Sequence, residues 1–145
     1  MRFRGHPLHV MLIHFPVALW PAHAALHCFS AQLLAGTAAV AGFWCLAAGT
    51  ALGWLAAGCG LLDLLVLSRA GDARLGDALT HAVFNGTVLL AYTGILAVEQ
   101  ARYPVIAHEP GFLAAEIFLL LVLGVGNYFG GQVAWRKNPS PARDL

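Results

Sequence analysis

Three histidines, His6, His9 and His14, open this chain within G-H-P-L-H-V-M-L-I-H-F-P, Gly5 to Pro16. They stand at the mouth of an apolar run in which no Lys, Arg, Asp or Glu occurs from Gly5 to Leu62. Histidine is the commonest metal and haem ligand and changes charge near neutral pH. In apolar segments such a group is costly, so it reads as functional. Other polar residues recur inside apolar stretches further on: Asp63, then His81 and Asn85, then Asn127, Gln132 and Arg136.

The chemistry that best unites these residues is b-type haem ligation. Haem iron takes axial histidine, and helical bundles build cofactor sites from side chains on facing helices. His14 and His81 are the expected pair, with His9 as substitute for His14. Asn85, one turn from His81, is expected to orient it, and Arg136 to meet propionates. Asp63, Asn127 and His6 form the surrounding polar set. His23 and His27, one turn apart, lie roughly on the face of His9 at 100° per residue. Helices two to four carry no histidine at that outer depth, and His108 falls in a loop. A second haem there is therefore not expected, and the roles of His23, His27 and His108 stay open.

Each residue also has a plainer reading. His6 and His9 read equally as wet interfacial histidines. His14 and His81 read also as a structural knot with Asp63 or with backbone carbonyls. Asp63 with Arg69 or Arg136 reads as a helix-end ion pair, and Glu116 as a carboxylate reaching for the interface.

The elements that must position these residues follow from composition. Of 145 residues 59% are apolar and 10% charged, against about a quarter charged in soluble domains. Spans of roughly 20 apolar residues cross a bilayer as helices, because only helices and closed barrels satisfy their backbone groups there. Period-2 alternation is absent. Four spans are predicted, about 8–34, 38–67, 78–98 and 111–135, in one transmembrane domain covering 1–145. The fold class is all-α, an integral membrane four-helix bundle. The polar loop Ser68 to Asp77 joins the second and third spans, and Glu99 to Pro110 joins the third and fourth.

Seven of the eight basic residues, Arg2, Arg4, Arg69, Arg74, Arg136, Lys137 and Arg143, fall on one side of this arrangement, and Arg102 on the other. The positive-inside rule then makes both termini cytoplasmic, and with them the histidine cluster. Arg2 and Arg4 before an apolar run also fit a signal peptide, with Ala22-His23-Ala24 as a weak cleavage site. His14 and Pro16 inside the run, and its continuation beyond Ala24, argue for a retained helix. Gly42, Gly49, Gly53 and Gly60 make one stripe on the second helix. Gly49-x-x-x-Gly53 and Gly126-x-x-x-Gly130 are close-approach patterns. Pro16 and Pro21 remove hydrogen bonds to the carbonyls of Leu12 and Val17 and bend the first helix. Cys28, Cys45 and Cys59 stand singly and read as small apolar residues. Net charge +1 gives no reason to invoke nucleic acid.

The pattern His6 to Pro16, Gly60-Leu-Leu-Asp63, His81 and Gly130-Gly-x-x-x-Trp-Arg136 resembles the uncharacterised bacterial membrane family named domain of unknown function 2231. Where that family usually has proline after its second motif histidine, this chain has Val10. The resemblance covers nearly the whole chain and implies a four-helix, multi-pass protein of the bacterial inner (cytoplasmic) membrane. Redox modules fused to or encoded near family members point to electron transfer.

The expected function is thus a haem b electron-transfer protein or redox-complex subunit. Its expected partners are the lipid bilayer and other membrane redox subunits, or a second copy. A non-catalytic accessory subunit is one alternative, and proton or metal-ion transport through His14, Asp63 and His81 is the other. A stand-alone enzyme is disfavoured: Ser30 and Ser68 have no paired base, and no H-E-x-x-H occurs.

Overall fold

A computed structural model describes residues 2–3, 6–29, 35–103 and 110–135. Among the described residues the chain is all-helical apart from a two-residue antiparallel ladder, Arg2–Phe3 against His6–Pro7, that precedes the first helix. Four helices follow: α1 Leu8–Phe29, α2 Ala35–Arg69, α3 Leu75–Arg102 and α4 Pro110–Trp135. All four are long and apolar enough to cross a membrane. At 1.5 Å per residue α2 is about 50 Å long, well beyond a hydrocarbon core of about 30 Å.

Helix ends follow local chemistry rather than the first charge met. Glu99, assigned to a loop by the sequence reading, lies inside α3, which continues through Val98-Glu99-Gln100-Ala101 to Arg102. Those residues are compatible with helix, and the break comes at Tyr103 before Pro104, where the residue preceding proline leaves the α region. The polar loop between α2 and α3 also shrinks to 70–74. α2 closes on Gly71 at φ 59°, with Asp72 N–H donating to Leu67 C=O at 3.1 Å and Gly71 N–H to Ser68 C=O at 3.2 Å. That is a Schellman closure, and it is the one turn where glycine's left-handed freedom is required. Asp72 then accepts from the Arg74 backbone N–H at 2.9 Å and from its guanidinium at 2.7 and 2.9 Å.

The helices run alternately up and down, α1 beside α2, α2 beside α3 and α3 beside α4. α2 meets α1 through its glycine stripe. A Cβ at Gly49 would lie 3.1 Å from Leu19 and Trp20, at Gly53 3.0 Å from Leu89 Cδ1, and at Gly60 2.8 Å from the His9 ring. The stripe therefore faces inward. Mid-bundle, Trp20, Leu46, Val88, Leu89, Tyr92, Ile95 and Leu123 form a packed apolar core. The Trp20 and Tyr92 rings stack at 4.3 Å and 7°, and Trp20 Nε1–H donates to Thr50 Oγ1 at 3.4 Å. Outside, Val66, Val83, Phe118 and Leu121 present apolar side chains on the periphery. In water such a surface would be a liability, and in lipid it is the solvent-matched face.

Candidate functional site

The bundle carries two polar layers, one at each end of the apolar core. The first gathers the start of α1, the end of α2, the start of α3 and the end of α4. His9 Nδ1–H donates to Ala56 C=O at 2.8 Å, and His81 Nδ1–H donates to Gly126 C=O at 2.8 Å. A carbonyl only accepts, so these contacts fix both imidazoles with Nδ1 as donor and leave each Nε2 with a lone pair. The rings stand 5.8 Å apart between centroids, at 88°.

Glycines make room for both rings. A Cβ at Gly60 would approach His9 Nδ1 to 2.9 Å, and one at Gly130 would approach His81 Nδ1 to 2.6 Å. Asn85 Nδ2–H donates to Asn127 Oδ1 at 3.0 Å. The same nitrogen is 3.2 Å from His81 Nδ1 and 3.3 Å from Nε2. Near-equal distances to both ring nitrogens put the amide over the ring face, an N–H···π contact that leaves the in-plane Nε2 lone pair open.

Of the expected residues, this layer unites His9, His81, Asn85 and Asn127. It does not bring in His14, which is exposed and bonded through Nδ1 to its own helix at Val10 C=O, 2.6 Å. The reason is angular: His14 is five residues from His9, so at 100° per residue it points to nearly the opposite side of α1. Asp63 is half-buried one turn beyond Gly60. His6 sits in the short ladder before α1, a register that takes it off the helix. Arg136 and His108 lie outside the described residues.

The second layer was missed by the sequence reading. It gathers His23 and His27 from the end of α1, Glu99 from the end of α3 and Glu116 from the start of α4. His23 is fully buried and Glu116 is 1% exposed, so Glu116 does not reach for the interface; His27 and Glu99 are each 7% exposed. His23 Nε2 lies 2.6 Å from Glu116 Oε1 and 3.5 Å from Glu99 Oε1, and His27 Nε2 lies 3.4 Å from Glu99 Oε1. His23 Nδ1–H donates to Gly42 C=O at 3.0 Å. Gly42 also gives the two rings their space, since a Cβ there would come within 3.1 Å of His27 Cδ2. The two imidazoles are 4.2 Å apart, tilted by 50°.

A signal for this layer was present. Carboxylates within membrane spans are functional-site candidates by default, and Glu99 and Glu116 stand at matching depths from the breaks at Pro104 and Pro110. His23 and His27 stand one turn apart at that depth. At this depth the partners of histidine are carboxylates and not further histidines on the other helices.

No curated protein and no solved structure matches the chain. The family model described as Predicted membrane protein (DUF2231) matches residues 5–139, and the chain belongs to that family.

Proposed function

We propose that this membrane protein is a b-type haem electron carrier or a haem-holding subunit of a redox complex, with His9 and His81 as the axial pair. One observation carries the reading. Two imidazoles on diagonal helices lie edge to face, centroids 5.8 Å apart, with both Nδ1–H groups spent on backbone carbonyls. With metal–nitrogen bonds of about 2 Å, two imidazoles on one ion have centroids roughly 6 Å apart, so the ring separation is compatible with both holding one iron. Haem held there supplies one-electron chemistry.

The chain's own residues do the positioning. The carbonyls of Ala56 and Gly126 fix tautomer and ring orientation and make each Nε2 a better donor. Gly60 and Gly130 let the rings seat against the α2 and α4 backbones, and Asn85, braced by Asn127, holds the His81 ring by its face. This revises the expected axial residue from His14 to His9. Arg136 remains the candidate for a propionate partner.

The test is an absorption spectrum of protein produced with ample haem. Bis-histidine ligation gives a low-spin spectrum with a sharp reduced α-band, lost in His9→Ala and in His81→Ala and kept in His14→Ala. A colourless preparation overturns the reading. The basic asymmetry supports a cytoplasmic side of a bacterial inner membrane for the His9–His81 layer and both termini. Reporter fusions at Leu145 and at His108 then report opposite sides, and the same side for both contradicts it.

Transport of protons or metal ions is the second reading, and the buried His–Glu layer favours it. Against it, the stacked Trp20–Tyr92 pair and the apolar core separate the two layers. The accessory-subunit reading loses one support, because the α2 glycine stripe is spent inside the bundle. Association with other redox subunits, or with a second copy, has to use other faces.

A further inference from the structure

We infer that His23, His27 and Glu116, with Glu99 alongside, form a binding site for one divalent transition-metal ion, separate from the His9–His81 layer. All four side chains are more than nine-tenths buried. Within the group, one ligand atom from each of His23, His27 and Glu116 falls inside 4.8 Å of the others.

The arrangement makes poor sense without something in the middle. His23 has committed Nδ1–H to Gly42 C=O, so in the neutral ring Nε2 is an acceptor, and it faces a Glu116 oxygen 2.6 Å away. Neither His23 Nε2 nor either Glu116 oxygen makes a hydrogen bond of good geometry, and Glu99 Oε2 and the Tyr92 hydroxyl are in the same state. Acceptors set against acceptors in an apolar interior need a proton or a cation between them. With both imidazoles neutral, the two carboxylates bring two negative charges, which one divalent ion cancels.

Spacing fits as well. Two atoms each about 2.1 Å from a tetrahedral ion stand roughly 3.4 Å apart. The Glu99 carboxylate is 3.5 and 3.4 Å from the two imidazole nitrogens, and the His23–Glu116 contact needs to open by less than an ångström. The Gly42 carbonyl behind His23 is the outer partner that ligating histidines use. Two imidazoles favour zinc, iron or copper over calcium and magnesium. The small remaining exposure lies on His27 and Glu99, which marks that rim as the route in.

The probe is Zn2+ added to chelator-stripped, full-length protein in detergent, read by elemental analysis after dialysis and by the thermal midpoint. The expected result is one zinc per chain and a raised midpoint, both in the parent and in His81→Ala, whose histidine layer is broken. Glu116→Gln and His27→Gln should each weaken zinc binding by at least about 100-fold, the upper end of what losing even an outer partner costs. Their midpoints should then stop responding to zinc. A parent that takes up no zinc overturns the site without recourse to any variant, and identifies the cluster as a proton-sharing pair only. Zinc retained by both Glu116→Gln and His27→Gln, or lost in His81→Ala, also overturns it.

Discussion

The two layers use the same side chain in opposite settings. Around His9 and His81 the contacting groups are backbone carbonyls, asparagine amides and glycine Cα atoms, with Asp63 half-buried one turn beyond Gly60. Around His23 and His27 the neighbours are carboxylates, and several polar atoms lack a hydrogen-bond partner. A layer with both Nδ1–H groups satisfied leaves one buried atom, Asn85 Oδ1, without a hydrogen bond and still offers two lone pairs, which suits a cofactor that brings its own charge balance. An acidic layer in an apolar interior is incomplete until positive charge arrives, which suits a proton or a metal ion. Histidine alone does not define a site; what holds the second nitrogen does.

The largest effect that joins the two layers is expected between them. Gly53 faces Leu89 and Trp20, with a Cβ position 3.0 Å from Leu89 Cδ1. Gly53→Leu should force α2 off the core at a cost of about 1–3 kcal/mol. It should disturb haem and zinc binding together, because both layers depend on the α1–α2 approach. If melting and both binding reactions match the parent, the glycine stripe does not set the packing.

Glycines inside each layer separate them. Gly130→Ala places a methyl 2.6 Å from His81 Nδ1, so the ring has to leave the Gly126 carbonyl. The expected outcome is loss or weakening of the α-band with zinc uptake unchanged. Gly42→Ala meets His27 Cδ2 at 3.1 Å, a smaller intrusion, and should weaken zinc binding while sparing the α-band. As a control, Gly124 has nothing within 4 Å of an added Cβ, and Gly124→Ala should stay within about 1 kcal/mol of the parent. Equal effects of Gly130→Ala and Gly42→Ala on both ligands would erase the distinction between layers.

The smallest effect lies outside the layers, in the α2–α3 turn. The Arg74 side chain, then its backbone N–H, hold the Asp72 carboxyl down from 3.8 to about 2. A depressed carboxyl stabilises the folded state above its unfolded value and loses that contribution as pH falls from near 4 toward 2. The pair sits in a turn outside the bundle, with Arg74 part-exposed and Asp72 largely covered, and solvent screening at the turn keeps the effect small. Asp72→Asn should lower the thermal midpoint slightly at pH 6 and not at all near pH 2. A gap between variant and parent that widens on acidification contradicts this account of the turn.

Much of the fold was legible because it rests on composition: four long apolar runs allow few arrangements, and the glycine stripe on α2 announced a close helix contact. His81, Asn85 and Asn127 were legible as one layer because depth along a helix can be counted. The choice between His9 and His14 was not, since it depends on which side of α1 faces the bundle and both prolines lie in that helix. Glu99 and Glu116 were visible as residues, but Glu99 was read as the start of a loop and Glu116 as reaching for the interface. Their burial rests on α3 running on to Arg102, where Tyr103 before Pro104 ends it, and on α4 turning Glu116 inward, which the local sequence does not show.

We propose that the two layers hold different ligands, haem on His9 and His81 and a charge-balancing ion on the His–Glu group. The most direct measurement is the reduced-minus-oxidised absorption spectrum of haem-replete parent, His81→Ala and Glu116→Gln, purified side by side. The account predicts a low-spin α-band in the parent, none in His81→Ala, and an undiminished band in Glu116→Gln. A colourless parent, or a band that survives His81→Ala and vanishes in Glu116→Gln, contradicts it.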